Sequence, residues 1–316
     1  MTNKKYKILI TGGAGYLGSM IATKLVLDGH EVTVIDKLKY SKTSLLHLFS
    51  HKNFYFLEED VLNKKIIQNA IKNKDYIIPL AAMVGAPLCD KYPVIAKKLN
   101  VDAIKNICKT KKTKQKIIFL TTNSGYGIGE KNKFCDENSP LRPVSLYGRT
   151  KNDAEKIVLK QKNFVAFRLA TVFGFSYRMR TDLLVNFMVL QALTKKKIKI
   201  FEPNFRRNFI HIKDVVNAIV FSINNFDKIK NNIFNLGLSN ANITKIQLLK
   251  KIKKYIPKLK IEIDKSKSDP DKRDYFVSNK KIEKKGFKAS YSLDLGIKEL
   301  VKVYKYINNI KIKNNY

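Results

Sequence analysis

A glycine-rich turn directly behind the first apolar run restricts the fold more than any other feature of the chain. Residues 6–11 are mostly apolar, and they lead into the segment TGGAGYLG at 11–18. Its glycines permit a tight turn, a close approach of backbone amides to a pyrophosphate, and close packing of a helix on a sheet. The segment therefore predicts a strand, a turn and a helix whose N-terminus faces the phosphates of a dinucleotide. The residues expected to contact the dinucleotide here are Gly12, Gly15, Tyr16, Leu17 and Gly18.

Short β-branched runs and helical patterns alternate through the first half of the chain. The predicted strands are 6–11, 31–35, 53–57, 76–78, 116–120 and 164–169, with amphipathic segments between them. Strands and helices that alternate at this spacing form βαβ units. We therefore predict an α/β fold with a doubly wound parallel Rossmann sheet.

The regular alternation ends after about residue 174. The segments 177–181 and 202–208 are rich in Arg, Asn and Pro and show no helix or strand pattern. Further on, the sequence predicts helices at 212–226, 245–255 and 293–306 and a buried strand at 233–236. We predict two domains: a nucleotide-binding domain over 1–174, into which 209–236 crosses back, and a smaller C-terminal substrate-binding lobe over 175–316.

The net charge of +36 is the compositional feature that bears most on partners. Such a charge is compatible with a nucleic-acid partner. The lysines, however, are scattered through every predicted helix and loop, and runs such as 195–197 lack the interleaved aromatic residues of a base-stacking surface. We therefore predict no nucleic-acid partner, and we expect the positive field to attract an anionic, diphosphate-bearing substrate.

Cysteine usage and hydropathy bear on the compartment. The three cysteines, Cys89, Cys108 and Cys135, are far apart and without CxxC spacing, which favours a reducing compartment and no metal site. The first apolar run is shorter than the ~7–15 residues of a signal-peptide core. No later stretch approaches the ~18 apolar residues of a membrane span. We predict a cytoplasmic protein with no membrane partner.

Acidic residues follow the second and third predicted strands. Asp36 lies near the ~20-residue distance at which a carboxylate binds the ribose hydroxyls of the dinucleotide. A carboxylate there favours NAD because it repels a 2′-phosphate, although Lys37 and Lys39 blur this preference. Asp60, followed by Val61, is placed to reach the adenine amino group; alternatively, it is a solvated helix cap.

Tyr147 and Lys151 are four residues apart, so a helix would place both side chains on one face. A free tyrosine, with a pKa near ~10, is a poor base at neutral pH. A neighbouring ammonium group favours the phenolate and lowers that pKa. Such a base would take the proton of an alcohol while hydride leaves to the nicotinamide. Thr122, just past the fifth strand, is the candidate for holding the substrate hydroxyl; alternatively, it belongs to a strand-end turn.

Together these motifs resemble the extended short-chain dehydrogenase/reductase family, the NAD-dependent sugar-nucleotide epimerases and dehydratases. The resemblance covers nearly the whole chain and includes the segments TGGAGYLG, LAAMVG, TTNSGYG, YGRTK, RLATVFG, RRNFIHIKDV and NLG. It implies that Tyr147, Lys151 and Thr122 are catalytic. It implies further cofactor contacts at Leu80, Ala81, Ala82 and Asn100. It implies substrate contacts at Val84, Asn123, Ser124, Arg178, Arg180, Asn186, Arg207 and Arg273.

Within the family, five segments are similar to a narrower group, the GDP-heptose 4-dehydrogenases of capsular polysaccharide biosynthesis. The segments are PLAAMVGAPLC, TNSGYGIGEK, FRLATVFG, RMRTDLLVNF and DPDKRDYFVSN. This similarity implies a GDP-sugar substrate, oxidation at sugar C4 to a 4-keto product, and a homodimer packed through helices around 91–109 and 147–161.

The residues after Thr122 depart from one branch of the family. The 4,6-dehydratases have an acidic residue or pair there, whereas this chain has Asn123 and Ser124. Neither side chain performs acid–base chemistry at neutral pH, so dehydration loses support. A 4-epimerase would use the same three residues and stays an alternative, as does a silent Rossmann protein that senses its cofactor. For Arg207 and Arg273, the alternative is a surface arginine on a basic protein.

Overall fold

The computed structural model of the chain describes residues 4–130, 133–264, 273–307 and 314. The strands in chain order are β1 (Lys7–Thr11), β2 (Glu31–Asp36), β3 (Phe54–Glu58), β4 (Tyr76–Pro79), β5 (Lys116–Thr122), β6 (Phe134–Cys135), β7 (Phe164–Leu169), β8 (Thr171–Phe173), β9 (Lys197–Ile200), β10 (Arg206–His211), β11 (Asn232–Leu236), β12 (Asn242–Thr244), β13 (Lys260–Ile263) and β14 (Phe276–Val277).

The α-helices in chain order are α1 (Tyr16–Leu27), α2 (Lys64–Ile71), α3 (Ala86–Lys91), α4 (Pro93–Lys97), α5 (Ala103–Thr110), α6 (Leu146–Leu159), α7 (Leu184–Thr194), α8 (Ile212–Asn224), α9 (Phe226–Ile229), α10 (Lys245–Tyr255), α11 (Lys280–Glu283) and α12 (Leu293–Tyr306). Short turns of other helical types cover Leu46–Leu48, Asn123–Tyr126 and Lys98–Asp102.

Seven parallel strands form the central sheet in the order β11-β7-β5-β4-β1-β2-β3. From β1 the chain builds outward through β2 to one edge, and from β4 it builds toward the other edge. The strand order therefore reverses between β1 and β4. This arrangement confirms the predicted doubly wound α/β fold, in which ligands bind at the carboxyl ends of the strands beside the reversal.

Both faces of the central sheet are buried. Successive side chains of a strand point to opposite faces; on β1, Ile8 and Ile10 join one hydrophobic cluster and Leu9 joins another. The first cluster includes residues of α1 and α8, and the second includes residues of α2, α5 and α6. Burial on both faces explains why these strands are nearly continuous apolar runs in the sequence.

The remaining strands form three small sheets. β10 pairs in parallel with β8 and antiparallel with β12, β9 pairs with β13, and β6 pairs with β14. β11 nevertheless lies beside β7 in the central sheet, so the chain leaves this sheet after Leu169 and returns to it at Asn232. The division of the chain into two domains at residue 174 stays a prediction.

The structure differs from the sequence-based elements in the second half of the chain. The sequence pattern predicts an irregular segment at 202–208, but its last residues begin β10, and Arg206 and Arg207 face Thr244 and Ile243 across the sheet. Two arginines and an asparagine at the start of this strand conceal its apolar pattern. The helix expected over 212–226 is divided into α8 and α9.

The helical region expected around 91–109 is not continuous. α3 ends at Lys91 and α4 begins at Pro93, whose ring cannot continue the preceding helix. A π-helical turn over Lys98–Asp102 then joins α4 to α5. Such turns are frequent at functional sites, and this one buries the side chain of Asn100.

Across the described ranges, none of the helices is both long enough and apolar enough to cross a membrane.

Candidate active site

A cavity of about 870 Å³ opens at the carboxyl ends of β1 and β4. Its walls extend from the glycine-rich turn before α1, past the ends of β4 and β5 and the start of α6, to segments of the C-terminal part of the chain. This is the position in which the strand order of the sheet predicts a ligand.

Two glycines bring the backbone of the turn close to its neighbours. Gly12 has a φ of +74°, and a Cβ added to it would lie 2.5 Å from the backbone nitrogen of Ala81. A Cβ on Gly18 would lie 2.3 Å from the carbonyl oxygen of Gly12. α1 begins at this turn with Gly15 as its N-cap, and no side chain caps its first amides. The N-terminus of α1 therefore presents backbone amides without a capping side chain to the cavity, which suits a phosphate.

Asp36 lies at the end of β2 and lines the same part of the cavity. Its carboxylate accepts hydrogen bonds from the amides of Ala14 (3.0 Å) and Leu38 (2.9 Å). Burial raises the pKa of this carboxyl above its usual range, against the opposing effect of these amides and of Arg178. A carboxylate beside a bare helix N-terminus fits the ribose and pyrophosphate of NAD, so the residues present suit this cofactor.

Asp60 has two partners at the cavity wall. It accepts a hydrogen bond from the Leu62 amide at 2.9 Å, and its other oxygen lies 2.9 Å from Lys37 Nζ. Asp60 is not the helix cap of the alternative interpretation, because Asn63 caps α2; it engages Leu62 and one of the two lysines that follow Asp36. Asp60 and Val61 both line the cavity.

Tyr147 and Lys151 lie one turn apart at the start of α6, where the Ser145 side chain caps the helix by accepting from the Gly148 amide. Thr122 ends β5 on the opposite wall, close enough to Tyr147 to lower the pKa of its hydroxyl. The Thr122 hydroxyl also accepts from the Ser124 amide (3.1 Å) and donates to the Ser124 hydroxyl (2.9 Å). The three predicted catalytic side chains are therefore brought together at one point of the cavity.

The surroundings shift both ionisable groups of this set away from the charged form. Burial raises the pKa of Tyr147 to about 12, although Arg273, Arg180 and Thr122 act in the opposite direction. Burial lowers the pKa of Lys151 to about 8, and Glu155 partly offsets this effect. Lys151 is only 7% exposed, and its ammonium group lies 4.7 Å from the centre of the Phe119 ring. Lys151 is therefore charged at neutral pH but loses its proton not far above it.

Cations from the C-terminal part of the chain line the far end of the cavity, on the side of Ser124 and away from Asp36. Arg207 on β10 is buried and lies 5.8 Å from the ring of Tyr275. Arg273 donates a hydrogen bond to the Ser124 hydroxyl. Lys245, at the start of α10, is buried and donates to the carbonyl of Phe201. This end of the cavity has the charge that an anionic diphosphate requires.

The two arginines predicted as substrate contacts in the 177–181 segment also line the cavity. Arg178 packs over the ring of Tyr40 at 4.9 Å and is attracted by Asp36, so it belongs to the Asp36 end of the cavity. Arg180 is ion-paired with Asp182. Their assignment to the substrate stays a prediction.

Three asparagines predicted as ligand contacts do not line the cavity. Asn100 accepts from the Met83 amide and donates to the Met83 carbonyl and to Thr150 on α6. Asn186 accepts from the Gly174 amide and donates to the Gly174 and Arg180 carbonyls. Asn123 is buried at the start of the turn that follows β5. Asn100 and Asn186 therefore hold backbone segments around the cavity, since their polar atoms are engaged there.

The other predicted residues all line the cavity. They are Gly12, Gly15, Tyr16, Leu17, Gly18, Asp36, Asp60, Val61, Leu80, Ala81, Ala82, Val84, Thr122, Ser124, Tyr147, Lys151, Arg178, Arg180, Arg207 and Arg273.

Several further residues that line the cavity were not predicted. Tyr40 follows β2, Asp90 lies on α3, Lys245 begins α10 and Tyr275 is two residues after Arg273. Only Tyr275 carried a signal, as an aromatic residue in the same KRDYF segment. Lys245 is one of many lysines, and no pattern distinguishes it.

The carboxylates that line the cavity within the described residues are Asp36, Glu59, Asp60, Asp90 and Asp182. The residues beside Thr122, in contrast, are the neutral Asn123 and Ser124. Within the same part of the chain, no group of three or more His, Cys, Asp or Glu side chains has the arrangement of a metal site.

The fold and the cavity together define a Rossmann-type enzyme that uses a dinucleotide. The model of the NAD dependent epimerase/dehydratase family matches residues 8–237, and the chain belongs to this family. This membership confirms the predicted NAD-dependent enzyme class and the predicted cofactor.

Curated relatives give the same class. The chain is 32% identical over 235 residues to the uncharacterized UDP-glucose epimerase YtcB of Bacillus subtilis, a match that covers 67% of this chain and 71% of the relative. It is 29% identical over 231 residues to UDP-glucuronic acid decarboxylase 1 of Xenopus tropicalis, which covers 69% of this chain. The latter match spans about half of that relative, 53% of its length.

Solved structures share the fold. UDP-glucuronic acid 4-epimerase of Bacillus cereus, in complex with UDP-glucuronic acid and NAD, has a TM-score of 0.82 at 25% identity, over 95% of this chain and 99% of that one. UDP-glucose 4-epimerase of Thermotoga maritima has a TM-score of 0.82 at 24% identity, over 96% of this chain and 100% of that one.

Proposed function

We propose that the protein oxidises a nucleotide-diphosphate sugar at C4. The observation that carries this proposal is the convergence of Thr122, Tyr147 and Lys151 on one cavity with the glycine-rich turn and Asp36. NAD, when bound, supplies the acceptor for the hydride. An alcohol that lies between this acceptor and a tyrosine base is the group such a site can oxidise.

Each of the three side chains has a separate task in this reaction. Thr122 holds the C4 hydroxyl of the sugar beside Tyr147, whose phenolate takes the hydroxyl proton. Lys151 supplies the positive charge that favours the phenolate. Burial lowers the pKa of Lys151 to about 8, and the ammonium group is still charged at neutral pH. Arg273 adds a second positive charge near Tyr147, so the base does not depend on Lys151 alone.

The neutral side chains after Thr122 favour oxidation over 4,6-dehydration. Removal of the C5 proton and loss of the C6 hydroxyl require an acid and a base, and Asn123 and Ser124 provide neither. A 4-epimerase is the second candidate. The names of relatives such as the Bacillus cereus UDP-glucuronic acid 4-epimerase favour it, and the same three side chains would return the hydride to the other face of C4.

For the sugar nucleotide we propose a GDP-heptose, converted to its 4-keto form for capsule or surface polysaccharide biosynthesis in the cytoplasm. The support is the similarity of segments such as DPDKRDYFVSN to the GDP-heptose 4-dehydrogenases. Arg207, Arg273 and Lys245 at the far end of the cavity support a diphosphate substrate of some kind. The curated relatives named above carry UDP-sugar names, so UDP-sugars are the necessary comparison.

We further propose a homodimer that packs through α4 and α6. Tyr92, Val94 and Ile95, at or within α4, expose large apolar side chains, as does Leu159 at the end of α6. Apolar side chains grouped on adjacent helices favour burial against a partner. Light scattering should give twice the chain mass for the wild type and a monomer for Val94→Glu. A wild-type monomer would contradict this part of the proposal.

The test of function is a panel of GDP-, UDP- and dTDP-sugars incubated with the pure protein and NAD. NADH absorbance is followed, and the product is solved by proton NMR. We expect a 4-keto GDP-heptose together with NADH. A C4 epimer without accumulated NADH would replace the dehydrogenase by the epimerase, and no turnover of any sugar nucleotide would overturn both.

A further inference from the structure

A buried ion pair lies one helical turn beyond Lys151. Glu155 on α6 is 2% exposed and Arg168 on β7 is 5% exposed. Arg168 Nη2 donates to Glu155 Oε1 at 2.7 Å, and Arg168 Nε lies 3.2 Å from both carboxylate oxygens. A buried ion pair is costly to desolvate and often adds no stability. Stability alone therefore does not explain why this pair lies one helical turn from Lys151.

Glu155 is the charged neighbour of Lys151 on its own helix. Residues four apart on a helix lie on the same face, and Glu155 is the group that offsets the effect of burial on the pKa of Lys151. Both oxygens of Glu155 are engaged by Arg168. The Glu155 carboxylate therefore stabilises the Lys151 ammonium while its oxygens are paired with Arg168.

Arg168 also connects α6 to the turn that follows Thr122. Its Nη1 donates to the Tyr126 hydroxyl at 3.0 Å and to the Glu137 carbonyl at 3.1 Å. The Tyr126 hydroxyl in turn lies 2.6 Å from Asn235 Oδ1. Tyr126 ends the short helical turn that begins at Asn123. One guanidinium group thus joins β7, the helix of Lys151 and the segment that positions Thr122.

We propose that Glu155 and Arg168 are positioning residues for the C4 oxidation. Glu155 stabilises the charged form of Lys151 inside the protein, and Arg168 prevents Glu155 from forming a direct ion pair with Lys151. This inference rests on the proposed function. The titratable and charged groups that surround the Tyr147–Lys151 site are Glu155 on the same helix, Arg168 on β7, Tyr126 in the turn after β5, Cys89 on α3, and Arg180 and Arg273 from later segments.

Two variants should shift the ionisation of Lys151 in opposite directions. Glu155→Gln removes the anion and leaves two buried cations, so the pKa of Lys151 should fall by about one unit or more, a tenfold change in its ionisation constant. Arg168→Met frees the carboxylate to pair with Lys151, so the pKa of Lys151 should rise. A purely structural pair would give either no shift or the same shift in both variants.

The primary readout does not depend on turnover. Protein labelled with ¹³C at the lysine ε carbons is titrated by NMR, and the Lys151 signal is the one that titrates near pH 8 and disappears in Lys151→Met. The second readout is the pH profile of kcat. Its alkaline fall should move to lower pH in Glu155→Gln and to higher pH in Arg168→Met, because activity is lost as Lys151 loses its proton.

Asp214→Asn is the matched control. Asp214 on α8 is also a buried carboxylate, and it accepts from the amides of Ser290 and Tyr291. Loss of the Asp214 carboxylate disturbs the fold in a comparable way, but the pKa of Lys151 should stay unchanged. An equal shift in this control would overturn the inference.

The outcomes separate this inference from the proposed function. Opposite shifts in the two variants support the pair as a positioning device. Folded variants with an unchanged Lys151 titration, or with shifts of the same sign, overturn it. A wild-type protein that turns over no sugar nucleotide overturns the proposed function alone. The NMR titration would still show whether the Glu155–Arg168 pair sets the ionisation of Lys151. Should Glu155→Gln fail to fold, the upward shift in Arg168→Met becomes the deciding result, and its absence overturns the inference.

Discussion

Lys151 holds a charge that its surroundings disfavour. Burial lowers its pKa to about 8, from 10.5 for a free lysine. Below pH 8 both the folded and the unfolded chain carry the proton, and only the folded chain bears the desolvation cost. Residues kept for function at the expense of stability are a common feature of active sites.

Replacement of Lys151 by Met should therefore stabilise the cofactor-free protein. We expect a gain of about 1–3 kcal/mol in the free energy of unfolding at pH 7, because the buried charge is removed. The gain should diminish as the pH rises through 8 to 10.5, where the folded wild type has already lost the proton and the unfolded chain still holds it. Urea titrations at several pH values measure this. A Met variant that is less stable than the wild type at pH 7 would contradict it.

Tyr147 is the residue on which the proposed chemistry depends most. Tyr147→Phe removes the base and keeps the ring, so we expect kcat to fall by about 10²- to 10⁴-fold while NAD still binds. Tyr55→Phe on β3, which replaces an exposed tyrosine, should keep wild-type kcat. Stopped-flow measurement of NADH formation gives both values, and wild-type kcat in the Tyr147→Phe enzyme would refute the mechanism.

The role of the glycine-rich turn can be tested with two Gly→Ala substitutions, one inside the turn and one outside it. In Gly12→Ala the new Cβ would lie 2.5 Å from a backbone nitrogen, at a positive φ. In Gly29→Ala, also at positive φ, the new Cβ meets only the flexible side chain of Lys5. Both changes carry the conformational cost of about 1–2 kcal/mol.

We expect Gly12→Ala to lose NAD affinity at least tenfold, because β1 and β4 must separate to admit the methyl group. Gly29→Ala should bind NAD like the wild type. Fluorescence titration with NADH compares them after both are shown to be folded by circular dichroism. Equal affinities would show that the close contact between Gly12 and Ala81 is unimportant for the cofactor site.

The first half of the fold was predictable because each of its elements has its own local pattern. β7 over Phe164–Leu169, for example, has the predicted bounds, since it is an unbroken apolar run apart from Arg168. The α10 and α12 helices also have their predicted bounds, and the Thr244 capping box fixes the start of α10.

The parts that were not predicted depend on contacts distant in sequence. β10 is a strand because it pairs with β8 and β12, and its own residues, RRNFIH, have no alternating pattern. In the site, Gly12 and Tyr147 were predictable from short motifs. Asn186 was assigned to the ligand, although its side chain binds the backbone of Gly174 and Arg180, a contact that no local pattern reveals.

At the scale of the whole molecule, the net charge of +36 acts on association with the substrate. A positive field speeds the binding of an anionic ligand, and salt screens it. We expect KM for the sugar nucleotide to rise about three- to tenfold between low and physiological ionic strength, with kcat nearly constant. Steady-state kinetics over a salt series measures this. Steeply salt-dependent retention on DNA, with a KM that does not respond to salt, would instead indicate a nucleic-acid partner.

The most direct test of the account follows the hydrogen atom at C4 of the sugar. The sugar nucleotide that the protein turns over is labelled with deuterium at C4 and incubated with the enzyme and NAD. If the sugar is oxidised at C4, the deuterium moves to the nicotinamide ring and the labelled substrate shows a primary isotope effect on NAD reduction. Deuterium that stays on C4 throughout, while product forms at the normal rate, would contradict oxidation at C4 and the roles given to Thr122, Tyr147 and Lys151.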